Sequence, residues 1–352
     1  MKVLALNSSP RTGGHSKTEL MLNHLVQGMQ EAGAGVEVVN LRQKKINYCS
    51  GCHTCWTKTP GKCLHKDDMS TELFPKWLNA DVAVYATPLY NFTLNAEMKA
   101  FIERTLPFME PFFEQRDGRS AHPLRLTPPD AVFLSVAGFI EMSVFDHLSQ
   151  YVQFLHGRHN NLLAEIYRPA AESLSWNKDK KEAVLAATVQ AGRELVSTRQ
   201  VSAETLSEIQ QPVIDFKTFA LIGNDFWKTC IAEGVTPKEF RAKNMVPRPD
   251  SIESFMVIFP LGLNRKAVGD EKKILQFNFS GTVTDSCCFI VAKNRISAQQ
   301  GVMKHPDVII ETPFELWMDI ITRKADGQQM FMEQKYTVSG DLELMIRLFQ
   351  FA

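Results

Sequence analysis

The chain has 352 residues, of which 44% are hydrophobic and 22% are charged, an ordinary globular composition with enough length for two domains. Its 39 basic and 39 acidic side chains give a formal net charge of zero, so overall charge offers no attraction to nucleic acid or to an anionic membrane. The apolar start is stopped by Asn7 and Pro10, and no later apolar run approaches the roughly eighteen residues of a membrane span, so we expect neither a signal peptide nor a transmembrane segment.

A polar, glycine-containing turn at residues 7–18 separates a predicted strand at 2–6 from an amphipathic helix. Ser16 and Glu19 fit a capping box at the helix start. A helix start presents unpaired N–H groups and the positive end of the helix dipole, so the turn hydroxyls and Arg11 predict a phosphate-binding site. An ordinary capped helix start is the alternative, and Glu19 favours it because its carboxylate competes for the same donors.

Strand and helix patterns alternate through the first 200 residues. Further strands are predicted at 36–41, 82–86, 131–137 and 162–167. Further helices are predicted at 68–78, 95–102, 145–155 and 178–196. The proline-containing segment 105–129 has no clear period and is interpreted as a long excursion. The order predicts an α/β fold with a doubly wound, five-stranded parallel sheet whose site lies at the carboxyl ends of the strands.

Four of the seven cysteines lie close together in the polar loop after the second strand: Cys49, Cys52, Cys55 and Cys63. Two short gaps followed by a longer one are typical of thiolates that occupy the corners of a [4Fe–4S] cluster. Free thiols or a disulfide are a second interpretation, and a zinc site that includes His53 or His65 is a third. The clustering suits a reducing compartment, so we expect a cytoplasmic protein.

These motifs resemble the NADPH-dependent FMN reductase family of flavodoxin-like proteins, and their order and spacing are similar to those of iron-sulfur flavoproteins. The resemblance covers about residues 1–200. It is carried by Ser9-Pro10-Arg11, Gly14-His15-Ser16, Cys49-Ser50-Gly51-Cys52, Cys63, Asp67-Asp68-Met69, Thr87-Pro88-Leu89-Tyr90 and Lys99-Ala100-Phe101-Ile102-Glu103-Arg104.

The resemblance implies bound FMN, with NAD(P)H as the reductant. It implies that the phosphate end of FMN contacts Ser9, Arg11, Gly14, Ser16, Lys17 and Thr18. It implies that the isoalloxazine ring contacts Thr87, Pro88, Leu89, Tyr90, Asn91 and Phe92, together with Ala137, Gly138 and Phe139. Because the flavin carries the hydride chemistry, we nominate no catalytic acid or base. Related flavoproteins commonly assemble, so a homo-oligomer is expected.

The residue composition and the pattern of predicted elements change after residue 201. Residues 202–250 are polar and helix-prone with several prolines, and we interpret them as a helical connector between domains at 1–201 and 251–352. In the second domain, strands are predicted at 274–279 and 287–291. Thr312 with Pro313 predicts the cap of one helix, and Asp341 predicts the cap of a closing helix at 342–351.

The order of elements in residues 251–352 resembles the sterol carrier protein 2 domain, an α+β fold. The closing helix is apolar on nearly all faces, which favours either an oily lining or burial in the core. The resemblance implies an apolar tunnel for a fatty acyl or sterol ligand. The residues implied as its lining are Phe277, Phe289, Trp317, Ile321, Phe331, Met345 and Phe349.

Together these patterns favour an NAD(P)H-dependent FMN oxidoreductase, with or without a [4Fe–4S] cluster, that carries a lipid-binding domain and passes electrons to an acceptor that the sequence does not name. The alternative is a non-catalytic redox or lipid sensor that holds FMN and an acyl ligand. Steady-state oxidation of NAD(P)H distinguishes the two.

Overall fold

A computed structural model describes residues 1–116, 118–157, 160–264, 268, 271–293 and 295–349. The chain divides into two compact units, Met1–Val213 and Ile214–Ala352. The predicted boundaries at 201 and 251 differ from this division. Residues after 201 still pack with the first unit, because Ile209 and Val213 belong to its core, so the chain leaves that unit later than the change in composition indicates.

A five-stranded, all-parallel sheet with the order β2-β1-β3-β6-β7 forms the centre of the first unit. The strands of the unit are β1 Lys2–Asn7, β2 Gly35–Asn40, β3 Val82–Pro88, β4 Glu114–Arg116, β5 Arg119–Ala121, β6 Asp130–Val136 and β7 Leu162–Arg168. β3 is buried along its whole length, as expected for a strand covered on both faces. The predicted doubly wound, flavodoxin-like sheet is confirmed.

Helices cover both faces of this sheet. They are α1 Lys17–Glu31, α2 Phe74–Leu78, α3 Ala96–Glu103, α4 Asp146–Leu155, α5 Lys178–Ser197 and α6 Ala203–Gln210. α1, α5 and α6 share one apolar core, while α2, α3 and α4 share the core on the opposite face. α2 follows directly on a π-helical turn at Met69–Leu73, so the predicted helix at 68–78 has two parts.

Two glycines bring α1 and α5 into close contact. A Cβ atom at Gly28 would lie 1.8 Å from the carbonyl oxygen of Val189, and one at Gly192 would lie 2.2 Å from that of Leu25. Both distances are far below van der Waals contact, so no larger residue fits without separating the helices. This contact fixes α1, whose first turn forms part of the candidate site described below.

The second unit contains a mixed five-stranded sheet with the order β10-β9-β8-β11-β12. Its strands are β8 Lys273–Ser280, β9 Ser286–Ala292, β10 Arg295–Gln300, β11 Val308–Pro313 and β12 Thr337–Gly340. Its helices are α7 Phe216–Glu233, α8 Pro237–Ala242, α9 Ile252–Ile258, α10 Phe314–Ile321, α11 Gly327–Met332 and α12 Leu342–Phe349. β8 and β11 are parallel and the other pairs are antiparallel, which confirms a mixed α and β unit.

Phenylalanine rings fill the core of the second unit. Phe255 on α9 lies 5.2 Å from Phe277 and 5.6 Å from Phe289 between ring centroids, both in edge-to-face geometry. Phe259 contacts the same two rings. Such contacts stabilise a pair by about 0.5–1.5 kcal/mol beyond the burial of its area.

One predicted cap in this unit is wrong and the other is confirmed. Thr312 does not cap α10, because β11 continues through Pro313 and Thr312 pairs with Phe279 of β8. Because Thr312 is paired within the sheet, its backbone does not take the position of a helix cap. Asp341 does cap α12, since its carboxylate accepts a 2.8 Å hydrogen bond from the backbone N–H of Leu344. The last two residues of the predicted closing helix lie outside the described residues.

Within the described ranges, no helix is both long and apolar enough to cross a membrane.

Candidate functional site

The turn between β1 and α1 lies at the carboxyl edge of the first sheet. Ser9 and Ser16 are buried at the base of the turn, and Gly13 and Gly14 lie on its exposed outer part. The two glycines have φ values of 66° and 78°, a left-handed conformation that glycine adopts without strain. The turn therefore curls back over the start of α1.

A short network of hydroxyl groups shapes the base of the turn. Ser16 Oγ donates to Ser9 Oγ at 2.8 Å and accepts from the backbone N–H of Glu19 at 3.0 Å, which makes Ser16 the N-cap of α1. Ser9 Oγ also accepts from the backbone N–H of Arg11, and Asn7 Oδ1 accepts from that of Ser9. The network aligns two hydroxyls with the positive end of the α1 dipole, the arrangement that binds anions.

Two arginines reach this turn, and each contacts a carboxylate. Arg11 Nη1 lies 2.5 Å from Glu172 Oε1, in the segment after β7. Arg42 donates to the carbonyl oxygen of Ser9 at 3.2 Å and lies 3.5 Å from Glu19 Oε1. The cap predicted at Ser16 is present, while the Glu19 side chain contacts Arg42. Sequence reasoning missed Glu172, because no pattern at the end of the fifth strand marks it.

The loop after β3 is tied to the β1–α1 turn. Asn95 Nδ2 donates to the carbonyl oxygen of Ser8 at 2.6 Å, and Asn95 Oδ1 caps α3 through the N–H of Met98. Thr87 is fully buried, and its hydroxyl lies within hydrogen-bond distance of Asn95 Oδ1 and of the carbonyl oxygen of Pro88. Thr87 therefore positions the loop from below, and Asn95 is a second positioning residue that sequence reasoning missed.

Exposed aromatic rings lie at the ends of β3 and β6. Phe92 and Phe139 are nearly parallel, with ring centroids 6.1 Å apart, and are 46% and 57% exposed. Tyr90 is 42% exposed in the same loop as Phe92. Asn91 and Phe92 both have positive φ. This backbone conformation is energetically costly for a phenylalanine, and the loop holds Phe92 in it. The sheet edge therefore presents flat apolar surface beside the hydroxyl-rich turn.

The residues predicted to contact the flavin thus differ in their exposure to solvent. Those at the surface are Arg11, Gly14, Tyr90, Asn91, Phe92, Gly138 and Phe139. Those that are buried are Ser9, Ser16, Thr18, Thr87, Pro88 and Ala137. Lys17 and Leu89 are half-buried.

The four clustered cysteines line one pocket. Cys49, Cys52, Cys55 and Cys63 all border it, and none of them is disulfide-bonded. Burial raises the pKa of Cys55, and the neighbouring sulfurs raise it further, whereas hydrogen bonds with Thr54 and Ser50 lower the pKa of Cys52 to about 7. Among the described residues, no three His, Cys, Asp or Glu side chains are close enough to hold a single metal ion.

A buried ion pair lies beside this pocket. Arg104 binds both carboxylate oxygens of Asp67, at 2.7 and 3.0 Å, and both side chains are almost fully buried. Asp67 also accepts from the N–H groups of Asn47 and Ser70. Burial alone would raise the pKa of Asp67, but Arg104 and these N–H groups hold it well below its ordinary value. The pair fixes both ends of the cysteine loop.

Arg104 also faces the cysteines. It borders the cysteine pocket. Burial opposes the charge of Arg104, but Asp67 raises the pKa of Arg104 above its ordinary value, and the nearby Cys63 raises it further through its charge and a hydrogen bond. A buried cationic donor beside the pocket fits thiolates that carry negative charge.

In the second unit, most of the predicted lipid-lining residues lie in the packed core. Phe277, Phe289, Trp317 and Met345 are buried, Ile321 and Phe349 are half-buried, and Phe331 is 37% exposed. A separate cavity of about 520 Å³ lies between α7 and α10, and none of these seven residues borders it. Its charged walls include the ion pair Arg248–Asp319, so it is not an oily tunnel.

The sheet order defines the first unit as a flavodoxin-like protein, with the hydroxyl-rich turn at the carboxyl edge of the sheet. Residues 1–126 match the NADPH-dependent FMN reductase family, and residues 264–352 match the SCP-2 sterol transfer family. The resemblances predicted from the motifs are thereby confirmed.

Curated relatives match the first unit. An iron-sulfur flavoprotein of Archaeoglobus fulgidus is 39% identical over 108 residues, which cover 31% of this chain and 47% of that protein. An FMN-dependent NADH:quinone oxidoreductase of Bradyrhizobium diazoefficiens is 27% identical over 206 residues, 55% of this chain and 98% of that protein. The chain spans about half the length of the iron-sulfur flavoproteins that it matches.

One solved structure with a similar chain is an NAD(P)H:quinone oxidoreductase from Methanothermobacter marburgensis. It has 18% sequence identity and a TM-score of 0.42, with coverage of 55% of this chain and 96% of that chain.

Proposed function

We propose that the first unit is an FMN-dependent oxidoreductase that takes electrons from NAD(P)H and passes them to a separate acceptor. The observation that carries this proposal is the joint placement of the Ser9, Arg11 and Ser16 turn and the exposed Phe92 and Phe139 rings at one sheet edge. All of these residues except Phe139 lie within residues 1–126, which match the FMN reductase family. Anion donors beside flat apolar surface suit a flavin with a terminal phosphate.

Each group has a defined task in this proposal. The turn hydroxyls, Arg11 and the α1 dipole hold the phosphate, while Tyr90, Phe92 and Phe139 set the plane of the ring system. Bound flavin supplies the hydride chemistry. Asn95 and the Asn7 amide keep the turn and the β3 loop in register, so that the two halves of the site stay aligned.

Steady-state oxidation of NADH and of NADPH by the full chain, with FMN and a quinone present, tests this function. We expect multiple turnovers that depend on added FMN. The loss of NAD(P)H absorbance at 340 nm measures them. Protein without FMN is the control for direct oxidation. Tight FMN binding without turnover would contradict the enzyme and favour the alternative, a sensor that holds FMN.

We propose further that the cysteine pocket holds a [4Fe–4S] cluster. Four unbonded thiols around one pocket and the buried Arg104 beside Cys63 support it, as does the similarity to iron-sulfur flavoproteins. Unbonded thiols also favour a reducing compartment such as the cytoplasm.

Anaerobic reconstitution with iron and sulfide is expected to give about four irons per chain, from the stoichiometry of the cube. Cys52→Ser should lose most of this iron and the broad absorption that accompanies it. Cys230→Ser is the matched control, because Cys230 is a buried cysteine of the second unit and does not line the pocket. Protein that stays iron-free after reconstitution, or that takes up zinc instead, would exclude the cluster.

We propose that the second unit binds an acyl chain, and the observation that favours this is the match of residues 264–352 to the SCP-2 family. Met345 lies on the buried face of α12, while its neighbour Ile346 is 51% exposed. Substitutions at the two positions therefore allow the effect of a change at a buried residue to be compared with the effect of a change at a surface residue of the same helix.

Met345→Trp is expected to abolish binding of a fluorescent fatty acid while the melting temperature changes by only a few degrees, because a tunnel accepts a larger lining residue but its ligand then loses space. Ile346→Trp is the matched control and should leave binding unchanged. If Met345 is instead part of a close-packed core, overpacking should cost about 1–3 kcal/mol and clearly lower the melting temperature. If the melting temperature of Met345→Trp falls in this way and the parent protein binds no fatty acid, the second unit has only a structural role.

A further inference from the structure

The Arg11–Glu172 ion pair joins two loops of the candidate flavin site that are far apart in sequence. Arg11 Nη1 lies 2.5 Å from Glu172 Oε1, and the two side chains are 49% and 40% exposed. Among the described residues, no other hydrogen bond or ion pair is recorded for either charged group. The arginine that the phosphate would need is therefore already occupied by a carboxylate.

The segment that carries Glu172 is held in place. The N–H of Ala171 donates to the carbonyl oxygen of Ala137, and Ala170 has a φ of 44°. Ser173 Oγ donates to the carbonyl oxygen of Ala170 at 2.7 Å, and Ser175 Oγ donates to that of Glu172 at 2.8 Å. These bonds fix the backbone of the 3₁₀ turn Ala171–Ser175, so the turn presents Glu172 beside Arg11.

Both arginines at the turn are paired with carboxylates. Arg11 faces Glu172 and Arg42 faces Glu19, while Lys17 adds a third cationic residue at the start of α1. A phosphate dianion that enters this site therefore meets two carboxylates as well as the cationic side chains. Like charges at short range repel, and an exposed ion pair must give up its own attraction before Arg11 is released.

We propose that Glu172 competes with the ligand phosphate for Arg11 and thereby lowers the affinity of the site for phosphorylated flavins. The inference rests on the proposed function, because it concerns the same FMN site. It makes Glu172 a determinant of affinity that acts through Arg11, and it predicts an effect on FMN that riboflavin, which lacks the phosphate, does not share.

Fluorescence titration of the full chain with FMN and with riboflavin tests this role. Glu172→Gln is expected to bind FMN about 3- to 30-fold more tightly than the parent protein, from the release of an exposed ion pair and the loss of one repulsive charge. Riboflavin affinity should stay unchanged. In Arg11→Gln/Glu172→Gln most of the gain should disappear, because the released guanidinium is no longer present.

The matched control is Glu31→Gln, which weakens an exposed pair with Arg193 that has a similar shortest N–O distance, 2.6 Å. Glu31 ends α1, so it lies about 21 Å along the helix from the first turn. Equal or weaker FMN binding by Glu172→Gln would overturn the competition, and so would an equal gain for riboflavin. Parent protein that binds no FMN would overturn the proposed function itself, which separates the two failures.

Discussion

Arg11→Ala combined with Ser16→Gly is expected to weaken FMN binding by roughly 10- to 1,000-fold. Each charge-assisted hydrogen bond to the phosphate contributes about 1.5–3 kcal/mol, and the two losses add incompletely. Glycine is chosen at position 16 because Ser16 is also the N-cap of α1, and glycine at an N-cap costs only a few tenths of a kcal/mol where alanine costs more. Fluorescence titration with FMN measures the change.

The control for this pair is Ser202→Gly, which removes the N-cap hydroxyl of α6 and leaves the turn intact. Its FMN affinity should match that of the parent protein. The melting temperature of each variant shows whether a loss of affinity reflects a loss of structure. Unchanged FMN affinity in a folded Arg11→Ala/Ser16→Gly variant would contradict the assignment of the phosphate to this turn.

Asp67→Asn is expected to destabilise the first unit by about 3–5 kcal/mol, because it leaves the buried charge of Arg104 without its partner. For a unit of this size, that loss corresponds to a melting temperature roughly 6–20 °C lower. Differential scanning calorimetry of the full chain measures the transition of the first unit. Asp130→Asn is the matched control, because its partner Arg199 is 44% exposed and surface pairs contribute about 0–1 kcal/mol.

The Asp67–Arg104 pair also makes the stability of the first unit depend on pH, and this contribution to stability decreases as the pH falls. The pKa of Asp67 is lower in the folded protein than in the unfolded chain, so its contribution is fully present above about pH 4, the unfolded pKa. It is lost progressively as the pH falls below that value. The difference in stability between the parent protein and Asp67→Asn should therefore be large at pH 7 and shrink at pH 3. A constant difference across this range would contradict the role of the ion pair.

Local patterns were sufficient for most of the first unit. The five parallel strands are short apolar runs bounded by turn residues, and buried strands of this kind are visible without any tertiary information. Ser16 and Asp341 were recognisable as caps, because a cap depends on residues three positions apart. The spacing of the four cysteines likewise predicted that they would face one pocket.

The second sheet was only partly predictable. β10 is mostly exposed and polar, and β12 is four residues long, so neither has a strong alternating pattern. Their pairing with β9 and β11 makes them strands, and the same pairing carries β11 through Thr312, where a cap was expected. Sheet register is a long-range property, which explains why local reasoning failed at these positions.

The sequence by itself determined the α/β class of the first unit, the cap of α1 at Ser16 and the grouping of the cysteines, because each depends on neighbours along the chain. Only the tertiary structure decided that Glu172 faces Arg11, that Asp67 pairs with Arg104, and that Phe277 belongs to a packed core. These contacts join positions that are distant in the chain. They form only when strands and helices pack, since the charge or burial of a side chain then depends on which partner the fold brings to it.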